Sequence, residues 1–215
     1  MPLTGVHFLL SYQCTYECDH CFVWSSPRSG GTITLEMMTK VLDQAKELGT
    51  VDNVYFEGGE PFLFYPLLVE GIRRANERGF STGVVTNCYW ATNDDSTRDK
   101  LENLKQAGLK GIMISVNPFY AEHVPFERTQ RCIHISQEVF GFSNVMIYQM
   151  EYYRQFLELG IRERITFKDY LELSRDLDYP GHVEMFYMGR ATSQLRDYFP
   201  KFPAQPAPNT QFSRL

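Results

Sequence analysis

The sequence predicts an α/β fold, a parallel β-sheet with helices packed on its outside. Three observations predict it. Short apolar runs alternate with amphipathic segments of helical spacing, a glycine closes most of the amphipathic segments, and the alternation continues over six units. The 215 residues, of which 43% are hydrophobic, are enough for one domain with a buried core.

Six short runs rich in apolar residues are predicted to be strands. They cover residues 6–12, 54–56, 82–86, 111–116, 145–148 and 183–188. The first is followed by a long loop that carries cysteines, and the second ends in Gly58-Gly59. In parallel sheets of this kind the chemistry lies at the carboxyl ends of the strands, so these two loops are expected at the functional edge.

Five amphipathic segments are predicted to be helices. They cover residues 35–48, 66–78, 96–107, 124–140 and 166–177. Thr34 and Gly49 supply a cap and a stop for the first helix, and Pro125 falls in the first turn of the fourth, where proline is tolerated. Six strand–helix units suit a partial (β/α)6 TIM-like barrel of parallel strands with outer helices. A flat doubly wound sheet is the alternative, which periodicity does not exclude.

The end of the chain differs from the rest in composition. The stretch after Pro200 contains Pro203, Pro206 and Pro208 and has no periodic pattern. We therefore predict a core domain over residues 1–197. Residues 198–215 form a proline-rich tail, either an extended tail or the truncated start of an extension.

Composition and charge argue against several classes of function. The net charge of -5 argues against general nucleic-acid binding, which needs a basic surface. No run approaches the roughly 20 apolar residues that span a bilayer, and the first ten residues lack a basic targeting region. We expect a cytoplasmic protein with no membrane partner. Five cysteines, three of them within eight residues, indicate a metal or redox site in a reducing compartment rather than a disulfide framework.

The cysteine triplet lies in the loop after the first predicted strand, and it consists of Cys14, Cys18 and Cys21. Thiolates select zinc, copper(I) or an iron–sulfur cluster. A structural zinc site normally has four protein ligands, but Cys88 and Cys132 are far away in sequence, and His20 between two cysteines would be an awkward fourth. Three thiols suit a [4Fe–4S] cluster with one open iron. At this point a cluster, a zinc site and buried thiols all remain open.

A second motif, Gly58-Gly59-Glu60-Pro61, follows the second predicted strand. Together with the CxxxCxxC spacing it resembles the radical S-adenosylmethionine (SAM) superfamily. Members of that superfamily usually carry an aromatic-type residue before the third cysteine, where this chain has His20, followed by Phe22. The resemblance covers residues 6 to about 191.

The resemblance implies a mechanism and a set of binding residues. A [4Fe–4S] cluster on the three cysteines would chelate SAM through its open iron. Reductive cleavage of SAM would give a 5′-deoxyadenosyl radical, which abstracts hydrogen from an unidentified peptide or small-molecule substrate. The Gly-Gly motif would bind the methionine amino group of SAM with help from Glu60. Its glycines let the backbone approach the ligand, and Pro61 fixes the exit from the turn. An ordinary strand-to-helix turn is the alternative for this motif.

Polar residues at other strand ends are further cofactor-binding candidates by resemblance. Ser115 and Asn117 end the fourth strand on one face, and Asn87 ends the third. Arg190, in a Gly-Arg-Ala sequence that related enzymes share, could bind a carboxylate with two hydrogen bonds. The alternatives are loop capping for the serine and the asparagines and a surface salt bridge for the arginine.

The substrate side is less defined. The candidates there are His123, Glu127, Arg128, Tyr148, Glu151 and Cys88, for each of which a structural role is the better interpretation. The partners implied by the resemblance are SAM, the substrate and an electron donor such as flavodoxin or ferredoxin. Peptide-modifying members usually have extra cysteines after the Gly-Arg-Ala sequence, and this chain has none after Cys132, which puts a peptide substrate in doubt. The alternatives to an enzyme are an iron–sulfur electron-transfer or regulatory protein without SAM turnover, and a zinc-stabilised binding module.

Overall fold

The computed structural model describes residues 2–175, 177 and 188–198. Within them, five strands form one sheet in which every neighbouring pair is parallel and the spatial order follows the chain order. The strands are β1 Gly5–Leu9, β2 Asn53–Glu57, β3 Ser81–Thr86, β4 Gly111–Ser115 and β5 Val145–Tyr148. A doubly wound sheet reverses its strand order at a switch point. The uninterrupted order is that of a partial barrel and excludes the doubly wound alternative.

Eight helices flank these strands in the described part of the chain. They are α1 Leu35–Leu48, α2 Tyr65–Glu77, α3 Asp94–Ala107, α4 Pro118–Ala121, α5 Phe126–Phe140, α6 Met150–Glu158, α7 Phe167–Leu173 and α8 Ala191–Gln194. Short 3-10 turns cover Pro61–Phe64 and Phe142–Asn144. None of the helices in the described residues is long and apolar enough to cross a membrane.

Local capping determines where the predicted helices begin and end in the structure. Helix α1 has the predicted limits, because the Thr34 side chain accepts a hydrogen bond from Met37 N and Gly49 adopts a left-handed conformation. Helix α3 begins two residues early because Asn93 caps it. Helix α7 ends at Leu173, short of the predicted 177.

Two further differences concern segments that the sequence patterns did not resolve. Helix α6 and the short helices α4 and α8 were not predicted; only Gln149 separates α6 from β5, and no side chain caps this helix. The predicted strand 183–188 lies outside the described residues, apart from Met188. Most of the proline-rich tail does so too, and the division into a core domain and a tail stays a prediction.

The two faces of the sheet have different environments. Side chains alternate across each strand, so Phe8, Val54, Phe56, Val84 and Ile114 face the helices and are buried. The opposite, concave face carries half-buried or exposed residues, many of them polar or aromatic. This face forms the inside of the barrel and leads to the carboxyl ends of the strands.

Candidate functional site

A cavity of 590 Å³ lies at the carboxyl ends of the strands and extends down the concave face. This is the end at which parallel barrels place their active sites. Eleven of the thirteen predicted site residues line it: Cys14, Cys18, His20, Cys21, Phe22, Gly58, Gly59, Glu60, Asn87, Ser115 and Asn117. The other two, Pro61 and Arg190, do not belong to the lining.

The cysteine loop brings three thiols to one side of this cavity. Cys14 and Cys18 are buried and Cys21 is half-buried. Ser25 N donates a hydrogen bond to Cys21 Sγ at 3.3 Å. Burial raises the pKa of the Cys14 and Cys18 thiols, and the mutual proximity of the cysteines raises it further. The two groups are therefore protonated thiols in the absence of a metal, and metal binding would release their protons.

The number of these thiols bears on the metal group that they suit. A structural zinc site normally takes four protein ligands, whereas each cysteine of a [4Fe–4S] cluster binds a different iron, so that three cysteines leave one iron open. The three thiols that line this cavity are therefore a ligand set that fits such a cluster.

The Gly58-Gly59 turn is fastened to the cysteine loop by its backbone. Gly59 N donates to Ser11 O at 2.7 Å, and Glu60 N donates to Gln13 O at 3.1 Å. A Cβ atom on Gly59 would lie 1.9 Å from Gln13 O, and Gly58 has a positive φ of 138°. The sequence suggested that these glycines allow a ligand to approach. In the structure it is the protein's own backbone that occupies the space of their missing side chains.

Glu60 lies beneath this turn and is fully enclosed. Its carboxylate accepts hydrogen bonds from Thr86 Oγ1 at 2.9 Å, Asn87 N at 2.9 Å and Phe62 N at 3.2 Å. Burial raises the pKa of Glu60 to about 7, against the opposing effect of these hydrogen bonds. The carboxyl group thus joins the end of β3 to the turn after β2. Pro61, next to it, is buried at the start of the following 3-10 turn.

Asn87 joins the end of β3 to the cysteine loop. Its Nδ2 donates to Thr15 Oγ1 at 3.1 Å and lies 3.8 Å from Cys14 Sγ. The next residue, Cys88, has a left-handed backbone with φ of 64° and is fully buried. Burial raises the pKa of its thiol well above the usual value, and the neighbouring Cys132 of α5 raises it further. Cys88 therefore belongs to the hydrophobic core rather than to the cavity, as does Cys132.

Asn117 and His20 interact at the end of β4. Asn117 Nδ2 donates to His20 Nε2 and to Gln149 Oε1, both at 3.2 Å, while its Oδ1 caps α4 by accepting from Tyr120 N. Burial lowers the pKa of His20 to about 3, so the ring is neutral. Because Nε2 accepts from an amide, Nδ1 carries the hydrogen. Nδ1 is buried and has no acceptor among the described residues. Ser115 lines the same wall.

Arg190 lies behind the cysteine loop rather than in the cavity. Its Nε donates to Cys18 O at 3.0 Å, an Nη atom donates to Ser25 O at 2.5 Å, and its backbone N donates to Cys21 O at 3.0 Å. The residue is 5% exposed. The sequence suggested that the guanidinium binds a ligand carboxylate or forms a surface salt bridge. In the structure it does neither. It holds backbone carbonyls because the chain returns to this loop at a left-handed Gly189.

The remaining substrate-side candidates have mixed positions. Tyr148 lines the cavity, whereas His123 stacks on Tyr16 at 4.6 Å and Arg128 donates to Tyr89 O, both outside the lining. Glu127 and Glu151 are also outside it. The lining residues that sequence reasoning missed include His7, Tyr16, Glu57, Tyr120 and Gln149, whereas Tyr55 had been expected among the aromatics of the cavity wall. The two-residue period of β1 and β2 could have indicated His7 and Glu57.

Comparison with known proteins agrees with this geometry. The family model "Radical SAM superfamily" matches residues 8–147. The putative peptide biosynthesis protein YydG of Bacillus subtilis is 24% identical over 115 residues, which are 54% of this chain and 36% of that protein. The PqqA peptide cyclase of Streptomyces rochei is 29% identical over 116 residues, 52% of this chain and 29% of that protein.

A likeness is also found among solved structures. The crystal structure of BtrN in complex with AdoMet and 2-DOIA has a TM-score of 0.45 at 14% identity, covering 61% of this chain and 56% of that one. The chain spans only about a third of the length of the two curated relatives named above. The family model nevertheless matches well over half of the chain, including the cysteine loop and the Gly-Gly turn. The chain therefore belongs to the radical SAM superfamily.

Proposed function

We propose that this chain reductively cleaves SAM on a [4Fe–4S] cluster and uses the resulting 5′-deoxyadenosyl radical to take a hydrogen atom from a peptide or small-molecule substrate. The observation that carries the proposal is the junction of the two motifs. The cysteine loop and the Gly58-Gly59 turn are joined by backbone hydrogen bonds, and both face the same cavity. A metal-binding loop in an electron carrier would have no need of this second motif.

The residues of the cavity have separate roles in this proposal. Cys14, Cys18 and Cys21 would hold the cluster, which when bound supplies the electron that breaks the sulfonium bond of SAM. In the Gly58-Gly59 turn, Gly59 N–H is already bonded to the cysteine loop, so the groups left to meet the SAM ammonium are carbonyl oxygens, which are acceptors.

The polar strand ends would orient the rest of the cofactor. Ser115 and Asn117 lie on one wall and Asn87 on another, where their side chains can meet the ribose and carboxylate of SAM. The protein's part is thus to bind, to orient and to exclude water.

The substrate class rests on weaker support than the cofactor. YydG is named for peptide biosynthesis and the PqqA cyclase for a peptide, which favours a peptide substrate. Both matches cover a minor part of those proteins, so a small molecule stays within the proposal. The proposal also includes an electron donor such as flavodoxin or ferredoxin. It places the protein in the cytoplasm, a reducing compartment, because the cysteines of the described residues are all free.

Anaerobic reconstitution tests the proposal. The wild-type protein should bind about four iron and four sulfide per chain and release 5′-deoxyadenosine from SAM when a strong reductant is added. Cys18→Ala should lose both properties. Cys132→Ala is the matched control, because that thiol is also buried but lies on α5 in the hydrophobic core. This variant should retain both properties. One zinc per chain without sulfide would refute the cluster. A full cluster without 5′-deoxyadenosine would indicate an electron-transfer protein instead.

A further inference from the structure

A carboxylate and an imidazole lie together on the concave face, directly below the Gly-Gly turn. Glu57 is the last residue of β2, and the turn begins with the next residue. His7, on the neighbouring strand β1, has its Nδ1 2.6 Å from Glu57 Oε1. Both side chains line the cavity and remain accessible, with 58% of His7 and 23% of Glu57 exposed. Nothing in the proposed chemistry of the cluster and SAM uses this pair.

The hydrogen bond between them determines what the pair can bind. A carboxylate only accepts hydrogen bonds, so His7 Nδ1 carries the hydrogen and donates it. The second Glu57 oxygen remains as an acceptor. Nε2 points away from it, because the two nitrogens of an imidazole ring face nearly opposite directions. His7 therefore holds the carboxylate in place, and the free oxygen of Glu57 is complementary to an N–H donor.

The charges around the cavity point in the same direction. No lysine or arginine of the described residues lines it, and the side chain of Glu57 is hydrogen-bonded to His7. The other carboxylate of the lining, Glu60, is enclosed and already holds three donors. Glu57 is thus an accessible carboxylate with no lysine or arginine of the lining beside it. A charge in such a place is stabilised when a bound ligand supplies the opposite sign.

Aromatic rings form the floor beside this pair. The His7 ring stacks on the Tyr55 ring with centroids 4.9 Å apart. The Tyr55 ring covers Gly83 so closely that a Cβ atom there would lie 2.6 Å from it. Tyr55 also lines a second cavity, of 370 Å³, at the amino ends of the strands. It therefore forms the floor between the two cavities, and the face of such a ring attracts a cation.

We infer that Glu57, His7 and Tyr55 form the substrate subsite for a protonated primary amine, such as a lysine side chain or an alkylamine. An N–H of the ammonium bonds the free Glu57 oxygen, while His7 Nδ1–H holds the carboxylate through its other oxygen, and the adjacent methylene groups lie beside the Tyr55 ring. The subsite rests on the proposed function for its role, because it places the amine-bearing part of a substrate one residue below the SAM-binding turn. Binding of the amine to this subsite does not require any step of SAM cleavage.

Ligand-observed NMR with three small probes tests the subsite. Pentylammonium, pentanol and pentanoate are titrated into the cluster-loaded protein without reductant. Pentylammonium should bind at least about tenfold more tightly than either other probe. Glu57→Gln should remove most of this preference. His7→Phe, which keeps a ring on Tyr55 but loses the donor that holds Glu57, should weaken it by a smaller factor. Glu36→Gln, an exposed acid on α1, is the matched control and should leave it intact.

Two outcomes would overturn the inference. Equal binding of pentylammonium and pentanol by the wild-type protein would do so whether or not the variants fold. Displacement of pentylammonium by saturating SAM would show that Glu57 serves the SAM ammonium rather than a substrate. Pentylammonium titration of the protein before reconstitution separates this inference from the proposed function. Selective amine binding by the unreconstituted protein, together with failure of the cluster-loaded protein to cleave SAM, would leave the subsite standing and refute the radical chemistry alone.

Discussion

Replacement of Arg190 by methionine tests whether its guanidinium holds the cysteine loop in place. In the wild-type protein the side chain donates to Cys18 O and Ser25 O, and it is 5% exposed. Methionine keeps most of the apolar stem but has no donor. The two carbonyls would remain in the interior without their partner. The backbone hydrogen bond from position 190 to Cys21 O would be retained.

The size of the effect follows from these contacts. A buried acceptor left without a partner costs about 1–3 kcal/mol, and hydrogen bonds from a charged donor lie in the upper part of the range. Arg190→Met should therefore lower the free energy of unfolding by about 3–5 kcal/mol. Arg190→Lys keeps the charge and can reach one carbonyl, so about half of that loss is expected.

Denaturant unfolding of the cluster-free protein measures this loss, and iron content after reconstitution measures its consequence for the loop. Arg28→Met is the matched control, because Arg28 also belongs to the region after the cysteines but forms an exposed ion pair with Glu17. That variant should lose less than about 1 kcal/mol. The reasoning is refuted if Arg190→Met also loses less than about 1 kcal/mol and still binds a full complement of iron.

Three other outcomes are expected. Gly59→Ala should fail to load iron, since its Cβ would lie 1.9 Å from a backbone oxygen, whereas Gly30→Ala, with nothing within 4 Å, should load normally. Burial raises the pKa of Glu60 from 4.5 to about 7, so the folded state binds this proton more tightly than the unfolded state. The stability of the wild-type protein relative to Glu60→Gln should therefore fall by about 2–3 kcal/mol as the pH rises from about 4.5 to about 7 in chemical unfolding, and a constant difference would contradict this. Asn117→Ala removes the cap of α4 and the donor to His20; a loss of about 1–2 kcal/mol is expected in the same measurement, and no loss would exclude the cap as a stabilising contact.

Much of the fold could be predicted because it depends on short-range patterns. Strand β5 and helix α1 have the predicted limits, since an apolar run in one case and a Thr34–Gly49 pair of caps in the other are local signals. Helix α6 was missed because only Gln149 separates it from β5 and no side chain caps it. Local signals of this kind specify where an element begins, and their absence leaves the start to tertiary packing.

The sequence alone determined the cysteine loop and its partner motif, because the cysteine spacing and the Gly-Gly turn are each contiguous in the chain. Only the tertiary structure decided how they are held together. The hydrogen bond from Arg190 to Cys18 O joins residues 172 positions apart, and that between His7 and Glu57 joins residues 50 apart. No periodicity encodes such pairs. They arise because parallel strands bring distant segments to one edge of the sheet. The role of each polar side chain there depends on which hydrogen-bond partner lies close enough.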